Sequence, residues 1–569
     1  MDTEKNGTKM AHNPPSPLQR FLSSPPGCFL VERLFVQRRR NRFLADIADP
    51  HTRQQTIFAD LLRRGATTRF GREHDFARIR TVEEYRAAVP VRGYPELRPW
   101  IDAMLYQREP NVLWPGRVDW FAESSGTSGA KKQIPVTRDG LRTVYQAAAT
   151  QYVALLLARL DRKRFLAGKT IFFVGGVRQA EGDAGVLLGD ITALNVHFFP
   201  DWLEFTRAPN KAISLLPNWE DRLQRIAQAT RHENVVHLGG LPTWLRHFGR
   251  IVLEMTGAAN LREIWPNLLA TTTGGVNPAP YLPEINRLIT GDAAGDASLL
   301  HSEVYNGTEG FYATQFDDGP LALLPNSGIF YEFVPRAEAE AGNFDSVVAL
   351  AGVETGGDYA PVITTCNGLW RYLIGDTVRF VSTAPYRLEV SGRVSQFLSL
   401  TGEELLAQTT DEVLGKLCAQ QGVGLVDYTV TGLLLTDAAE YACHLWLVEL
   451  EESARMDPVE FAAAVDRALI ANHYDYAKAR SGGAQSGAGF GLAAPVLLFL
   501  PPGTFQRWLS AKLGQRIGGQ SKVPRLSHSP VTVRGVLAGL TPDEQTRVLS
   551  ALALLTRTAV ERLFAVRSG

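Results

Sequence analysis

One segment of the sequence has a distinctive composition: Ser124-Ser125-Gly126-Thr127-Ser128-Gly129-Ala130-Lys131-Lys132. It carries four hydroxyl side chains and two glycines, and it comes directly after a strand-like run at residues 118–121. In such a loop the backbone N–H groups can converge on an anion, the hydroxyls add donors, and the last lysine adds positive charge. The composition is therefore typical of a phosphate-binding loop, although its spacing is not that of a Walker motif.

Three later segments carry groups that suit a nucleotide. The run Tyr305-Asn306-Gly307-Thr308-Glu309-Gly310 places a hydroxyl and a carboxylate in a glycine-bounded turn, which suits a magnesium ion and a phosphate oxygen. Asp376 follows Gly375 at the end of an aromatic and basic run, where its oxygens could accept both hydroxyls of a ribose. Lys522 lies in a glycine- and proline-bounded loop at residues 520–525. Taken singly, each of these segments is more often an ordinary turn or a solvated charge.

Other catalytic motifs are excluded by their spacing or context. Residues 168–170 resemble the end of a P-loop, but Lys163 stands where the first glycine is required. Residues 489–494 have the glycine spacing of a dinucleotide loop, yet they precede a strand-like run instead of following one. The histidines lack zinc-ligand spacing, and no G-x-S-x-G elbow is present.

Composition narrows the class of protein further. The chain has 569 residues, with 59 Lys+Arg and 59 Asp+Glu, so a polyanionic partner such as DNA, RNA or an anionic membrane is not expected. No apolar run approaches the ~20 residues that span a bilayer, and four scattered cysteines indicate a reducing compartment. Residues 1–26 are rich in proline and lack the order of a signal peptide, so we expect a disordered leader. The sequence thus predicts a cytoplasmic protein, with a monomer as the simplest expectation.

The order of elements predicts an α/β fold. Strand-like runs at residues 170–174, 235–238, 329–334 and 378–381 alternate with helical patterns at residues 141–160 and 221–231. After residues 391–402 the pattern changes to a smaller unit with strands at 428–435, 444–451 and 496–500. We therefore predict a large N-terminal domain at residues 27–400 and a smaller C-terminal domain at residues 401–569.

In this order and spacing the motifs resemble those of the adenylate-forming enzymes. More closely, the chain is similar to the Gretchen Hagen three family of acyl-acid amido synthetases, the auxin-responsive proteins of plants, and specifically to its bacterial-type members. The first motif, followed by Ile134-Pro135-Val136-Thr137, is the most specific part, and the similarity covers roughly residues 30–535. The resemblance implies a large N-terminal adenylating domain of mixed β-sheets and a barrel with flanking helices. It also implies a mobile C-terminal α+β lid domain.

The resemblance also assigns roles to matching positions. The first motif would hold the ATP phosphates through Ser124, Ser125, Gly126, Thr127 and Ser128. Lys132 would add a positive charge at the end of this motif. Tyr305 and Thr308 would flank the adenine and the α-phosphate, Glu309 would ligate Mg²⁺, and Asp376 would bind the ribose. Arg393 would lie near the ribose at the hinge, and Lys522 would be the mobile catalytic lysine.

The family's activity would be ATP-dependent adenylation of a small carboxylic acid, followed by transfer of the acyl group to an amino acid. Two alternatives stay open, an acyl-CoA ligase and a non-catalytic binder of an acid or nucleotide. An aryl or indole-type acid is the expectation, and Trp202 and Trp244 are either aryl-stacking residues or plain core. The chain departs from the family at Thr401-Gly402-Glu403-Glu404, where plant members usually carry a lysine, and at Asn306-Gly307.

Overall fold

The structure is a computed structural model. It describes the following residues: 12–123, 132–180, 183–216, 218–275, 277–394, 397–398, 400, 403, 405–434, 441–451, 457–473, 476–477, 479–480, 491–513, 523–527 and 531–552. The chain separates into two compact units. The first comprises the described residues of Met1–Val276 and Ile285–Val390, and the second those of Asn277–Glu284 and of the chain from Ser391 onward.

The N-terminal part of the chain that the structure describes is a series of helices. They are α1 (Pro17–Leu22), α2 (Pro25–Val31), a π-helical turn (Glu32–Val36), α3 (Gln37–Ala48), α4 (Pro50–Gly65), α5 (Arg69–Glu73), α6 (Val82–Ala88) and α7 (Tyr94–Leu105). Ser16 and Ser24 cap the first two helices, and the buried Gln19 side chain donates to the carbonyl of Gly168 at 3.1 Å. The disordered leader expected over residues 1–26 is therefore corrected from Pro17 onward, because these caps and this contact order the helices.

Helices and strands then alternate through the rest of the first unit. The helices are α8 (Arg138–Gly140), a π-helical turn (Leu141–Gln146), α9 (Ala147–Leu157), α10 (Arg162–Leu166), α11 (Ile191–His197), α12 (Lys211–Ser214), α13 (Trp219–Thr230), α14 (Pro242–Thr256), α15 (Leu261–Ile264), α16 (Leu282–Thr290) and α17 (Arg336–Glu340). Short 3₁₀ turns lie at Asp201–Thr206 and Leu350–Gly352. A third, Ala279–Tyr281, and the first three residues of α16 belong to the second unit.

The described strands of this part form a small sheet and a long mixed sheet. The small sheet has the order β2-β1-β5-β4, from β1 (Trp120–Glu123), β2 (Gln133–Val136), β4 (Val177–Ala180) and β5 (Asp183–Gly189). The long sheet contains β3 (Lys169–Phe172), β6 (Val235–Gly240), β7 (Ala270–Gly274), β8 (Leu300–Asn306), β9 (Phe311–Thr314), β10 (Leu321–Leu323), β11 (Ile329–Pro335), β12 (Val348–Ala349), β13 (Asp358–Thr365), β14 (Tyr372–Leu373), β15 (Asp376–Thr383) and β16 (Tyr386–Arg393).

The long sheet is parallel from β3 through β6 and β7 to β8 and becomes antiparallel from β8 onward. Its order over the described strands is β12-β11-β13-β15-β16-β10-β9-β8-β7-β6-β3. Parallel pairs need crossover connections, and α13, α14 and α16 lie in the connections from β3 to β6, from β6 to β7 and from β7 to β8. The α/β class that the sequence predicts is confirmed.

The second unit is built on another mixed sheet. Its five described strands are β19 (Leu425–Leu434), β20 (Tyr441–Leu450), β21 (Gly491–Leu492), β22 (Val496–Leu500) and β23 (Leu526–Ser527). A separate two-stranded sheet pairs β17 (Phe397–Leu398) with β18 (Leu405–Leu406). The helices of the unit are α18 (Ala407–Gln421), α19 (Pro458–Asn472), α20 (Thr504–Leu513) and α21 (Val531–Ala538), and residues 542–552 are also helical. The C-terminal part of this unit begins at Ser391. The domain boundary near residue 400 stays a prediction from the sequence.

Two helices begin with a capping box. Thr81 caps α6, with Glu84 in the reciprocal position. In the second unit Thr541 and Glu544 exchange hydrogen bonds at the start of the helix at residues 542–552. Among the described residues, none of the helices combines the length and the apolar character needed to cross a bilayer.

Glu303 lies half-buried within β8, between β7 and β9. Burial, and then the charge of Glu389, raises the pKa of its carboxyl from 4.5 to about 7. The folded state consequently holds a proton that the unfolded chain releases between pH 4.5 and pH 7. Since folding takes up this proton, the free energy of unfolding falls as the pH rises through that window.

We expect Glu303→Gln to remove this part of the pH dependence. Between pH 5 and pH 7.5 the natural chain should lose on the order of 2 kcal/mol at this position, after allowance for partial exposure, whereas the variant should lose none of it. Urea unfolding at several pH values measures the difference. Glu389→Gln is the control and should keep most of the slope, because burial is the larger cause. Equal slopes in the natural chain and Glu303→Gln would contradict the assignment.

Candidate functional site

The glycine-bounded turn predicted at the second motif is a tight hairpin turn. It joins β8 to the antiparallel β9, and the N–H of Gly307 donates to the carbonyl of Gly310 at 2.8 Å. Thr308 and Glu309 form its tip, and their exposed fractions are only 2% and 7%. A carboxylate is therefore held almost out of water at the end of two strands.

Buried phenols surround the Glu309 carboxylate. The hydroxyl of Tyr372 donates to its Oε1 at 3.4 Å. Burial, and next the charge of Glu309, raises the pKa of Tyr145, Tyr312 and Tyr372 well above the usual value for tyrosine. These phenols stay protonated at neutral pH, so they carry no negative charge of their own beside Glu309.

The second motif and the Gly-Asp motif lie together. The hydroxyl of Tyr305 donates to Oδ2 of Asp376 at 3.0 Å, and the Tyr305 ring packs on Tyr312 with centroids 4.7 Å apart. Gly375, with φ of +91°, makes the turn from which β15 starts at Asp376. Because glycine adopts a left-handed backbone without steric cost, it suits the position directly before the aspartate. The fold thus joins Tyr305, which precedes the Thr308–Glu309 turn, to Asp376.

A buried arginine fixes the segment that leads to Asp376. Arg371 is 3% exposed, has φ of +48°, and its Nε donates to Oε2 of Glu332 at 2.9 Å. It also donates to the carbonyl of Val89 at 2.7 Å, while its own N–H donates to Oγ1 of Thr364 at 3.1 Å. The next residue is Tyr372, whose neighbours pair with Arg92. Arg371 thereby sets where Tyr372 meets Glu309.

The first motif connects two paired strands. Glu123, the last residue of β1, pairs with Gln133, the first residue of β2. Lys132 lies half-buried directly before β2, and the N–H of Gln133 donates to the hydroxyl of Tyr94 at 2.9 Å. Ser124, Ser125, Gly126, Thr127 and Ser128 lie outside the described residues, and their roles stay predictions.

Arg393 and Lys522 are the two predicted site residues that remain. Arg393 is exposed at the end of β16, and Lys522 lies outside the described residues. Three positions after Lys522, Arg525 is 9% exposed and donates to Asp427 and to the hydroxyl of Tyr281. The assigned roles of Arg393 and Lys522 stay predictions.

Of the departure at residues 401–404, the structure describes Glu403. Glu403 is 0% exposed, its Oε1 accepts the N–H of Leu400 at 2.8 Å, and the same oxygen lies 2.8 Å from Nε2 of His444. This carboxylate therefore ties Leu400 and Glu403 to His444 of β20. Its contacts give the departure from the family pattern a structural role within the second unit.

Sequence reasoning missed several residues around the turn. Tyr145, Asn367 and Tyr372 are buried and are hydrogen-bonded in or next to it. Tyr372 belongs to the aromatic run before Asp376, so proximity to that motif was an available signal. Of the two candidate aryl-stacking residues, Trp244 is buried and Trp202 is 71% exposed, so Trp202 is not a core residue.

The donor set bears on which metal the site suits. Across the described part of the chain, no group of three or more His, Cys, Asp or Glu side chains could hold a metal ion. Glu309 therefore offers a single carboxylate, a hard oxygen ligand. Such a donor fits Mg²⁺, which usually binds through one or two carboxylates together with substrate phosphates and water.

Known proteins resemble this chain in sequence and in fold. Family models match the chain as the GH3 family N-terminal domain at residues 39–198, the central domain at residues 321–393 and the C-terminal domain at residues 408–531. Indole-3-acetic acid-amido synthetase GH3.2 of Arabidopsis thaliana is 22% identical over 483 residues, which cover 71% of this chain and 86% of the relative. Jasmonoyl-L-amino acid synthetase JAR4 of Nicotiana attenuata is 23% identical over 430 residues, 63% of this chain and 72% of the relative.

Solved structures share the fold. A GH3.15 acyl acid amido synthetase has a TM-score of 0.70 at 19% identity, covering 87% of this chain and 94% of that one. A 2-hydroxyisobutyryl-CoA ligase in the postadenylation state has a TM-score of 0.51 at 14% identity, covering 87% and 91%. The fold is that of the adenylate-forming enzymes. Because the three family models together match more than half of the chain, it belongs to the GH3 family.

Proposed function

We propose that this chain is an ATP-dependent acyl-acid amido synthetase, a ligase that forms an amide bond through an acyl-adenylate. The observation that carries the proposal is the hydrogen bond between Tyr305 and Asp376 beside the Thr308–Glu309 turn. Two motifs that are 71 positions apart in the chain thereby share one site. Membership of a family whose named relatives are amido synthetases supports the same reaction.

The reaction would proceed in two steps. In the first, a carboxylate oxygen of the acid attacks the α-phosphorus of ATP, the bond to the β-phosphate oxygen breaks, and pyrophosphate leaves. In the second, an unprotonated amine attacks the carbonyl carbon, AMP leaves with the bonding electrons, and the amine loses a proton. Charge repulsion and alignment dominate the first barrier, so fixed donors and positive charge are what the site must supply.

The residues would divide this work by position. The N–H and hydroxyl groups of residues 124–128, with Lys132, would hold the phosphates. Asp376 would accept the ribose hydroxyls, with Tyr305 orienting its Oδ2 and Arg393 lying near the ribose. Thr308 would donate to the α-phosphate, and Lys522 would bring a positive charge to the reacting carboxylate and phosphate. Glu309 offers the carboxylate for Mg²⁺, whose charge would offset that of the triphosphate oxygens.

The substrates would be a small carboxylic acid, of aryl or indole type, and an amino acid. Support comes from relatives named for indole-3-acetic acid and for jasmonoyl conjugates. The neutral formal charge and the absence of a membrane-crossing helix among the described residues agree with small-molecule partners. A cytoplasmic monomer is the form in which we expect the enzyme to act.

Pyrophosphate release from purified protein with Mg-ATP tests the proposal, across aryl, indole and fatty acids with hydroxylamine as the trap. We expect acid-dependent release and a trapped hydroxamate. Replacing hydroxylamine with amino acids or with CoA then separates an amido synthetase from an acyl-CoA ligase. Absence of release with every acid, together with ATP binding by calorimetry, would favour a non-catalytic binder.

Lys522→Ala should lower the rate of adenylate formation by about 100-fold or more while leaving the Kd for ATP nearly unchanged. The reason is that a positive charge aimed at the reacting atoms acts mainly in the transition state. Pyrophosphate release and calorimetry measure the two quantities. Lys512→Ala is the control, because that lysine packs over the Trp508 ring at 4.9 Å in the same unit. An unchanged rate in Lys522→Ala would remove the catalytic role from this lysine.

Asp376→Ala should raise the KM for ATP by about 10-fold, because two hydrogen bonds to a charged acceptor would be lost. Asp358→Ala is the matched control: this aspartate lies on β13 and pairs with Arg379 at 2.6 Å. The KM for ATP from initial rates of pyrophosphate release is the measurement. Equal KM values for the natural chain and Asp376→Ala would show that the ribose lies elsewhere.

A further inference from the structure

Tyr145 is a buried tyrosine whose hydroxyl reaches the backbone of the Thr308–Glu309 turn. It is 3% exposed and lies in the π-helical turn Leu141–Gln146, directly before α9. Its hydroxyl donates to the carbonyl oxygen of Thr308 at 2.8 Å. Single π-helical turns inside helices are rare and occur often at functional sites, because the extra residue redirects the side chains around it.

The amide of Asn367, in the turn after β13, extends this contact to Thr137. Asn367 is 0% exposed, and its Nδ2 donates to the hydroxyl of Tyr145 at 3.0 Å. Its Oδ1 accepts the N–H of Thr137 at 3.0 Å. Thr137 in turn donates its hydroxyl to the carbonyl of Cys366 at 2.9 Å. The hydroxyl of Tyr145 therefore both donates and accepts, and each end of the Asn367 amide is occupied.

These hydrogen bonds join the two halves of the candidate site. Thr137 follows β2, the strand that returns from the first motif, and Thr308 precedes Glu309 in the second motif. The network leaves no spare room: a Cβ atom at Gly140 would lie 1.7 Å from Oδ1 of Asn367. A fully paired buried network of this kind fixes relative positions, because any shift leaves a buried polar group unsatisfied.

We propose that Tyr145 and Asn367 are positioning residues that hold the Thr308–Glu309 turn at a fixed place relative to the strand returning from the first motif. The role rests on the proposed function, since it matters for the phosphate and Mg²⁺ groups assigned to that turn. Neither residue needs to touch a substrate. Their effect would pass through the Thr308 carbonyl to the adjacent Glu309 carboxylate.

Tyr145→Phe is the variant that tests this role, because it removes one hydroxyl and keeps the ring. The matched control is Tyr152→Phe: Tyr152 is 4% exposed, lies on α9, and its hydroxyl is bonded to Oγ1 of Thr272 and not to the turn. Tyr145→Phe loses two buried hydrogen bonds, to Thr308 and from Asn367, whereas Tyr152→Phe loses the one to Thr272. Both stabilities should therefore fall, with the larger fall in Tyr145→Phe. A change that is confined to the turn, beyond this difference in stability, reports on the position of the turn.

Amide hydrogen exchange over residues 300–314 gives a readout that needs no ligand. We expect about 10-fold faster exchange at the turn in Tyr145→Phe and no change there in Tyr152→Phe. Equal exchange in both variants would overturn the proposal. Thr137→Val removes a hydroxyl at the far end of the same network and should show the same pattern at about a third of the size. It carries the test if Tyr145→Phe does not fold.

Kinetics give the second readout. In Tyr145→Phe the kcat for pyrophosphate release should fall by about 10-fold, and the free Mg²⁺ concentration at half-maximal rate should rise several-fold, with the KM for the acid unchanged. A change in stability alone, with the Mg²⁺ dependence of the natural chain, would overturn the positioning role. If the natural chain releases no pyrophosphate with any acid, the proposed function fails, while the exchange comparison still decides whether these residues hold the turn.

Discussion

The buried ion pair between Arg371 and Glu332 is the constraint on which the site depends. Both side chains are almost fully buried, and an unpaired charge at either position would be strongly destabilising. The pair is tolerable because Arg371 also bonds to the Val89 carbonyl and because Arg86 supplies a second cation to Glu332 at 2.8 Å. With Arg371 locked, Tyr372 must face Glu309, and the turn at Gly375 must deliver Asp376 beside Tyr305.

Much of the fold could be predicted from the sequence because local chemistry and final structure agree there. The helices that follow Thr81 and Thr541 begin with capping boxes, whose Thr-x-x-Glu pattern is local in the sequence. The strand at Val496–Leu500 coincides with its apolar run. The first strand is shifted, because Trp120–Glu123 continues two residues past the predicted end to pair with β2. Residues 17–22 and 25–26, which the sequence predicts to be disordered, are helical. Proline at the first turn of α1 and α2 is compatible with a helix.

The site residues divide in the same way. The Tyr305–Gly310 turn and Asp376 carry recognisable residue types at recognisable spacing, so sequence could find them. Tyr145 could not be found, because a single tyrosine in an apolar helical stripe is usually core and its importance lies in one hydroxyl facing a distant carbonyl. Asn367 and the left-handed Arg371 depend on partners 222 and 39 positions away, and only the folded chain brings them into contact.

The segment Asn277–Glu284 has a consequence for modular exchange among relatives. It lies between β7 and the body of α16, yet it belongs to the second unit, where Tyr281 bonds to Arg525. No single cut of the polypeptide therefore yields that unit intact. A recombinant protein that takes its C-terminal portion from another member of the family must also take this eight-residue segment from that member. Otherwise the buried guanidinium of Arg525 loses its hydrogen bond to the phenol of Tyr281. Swapping by simple concatenation is thus disfavoured by the architecture itself.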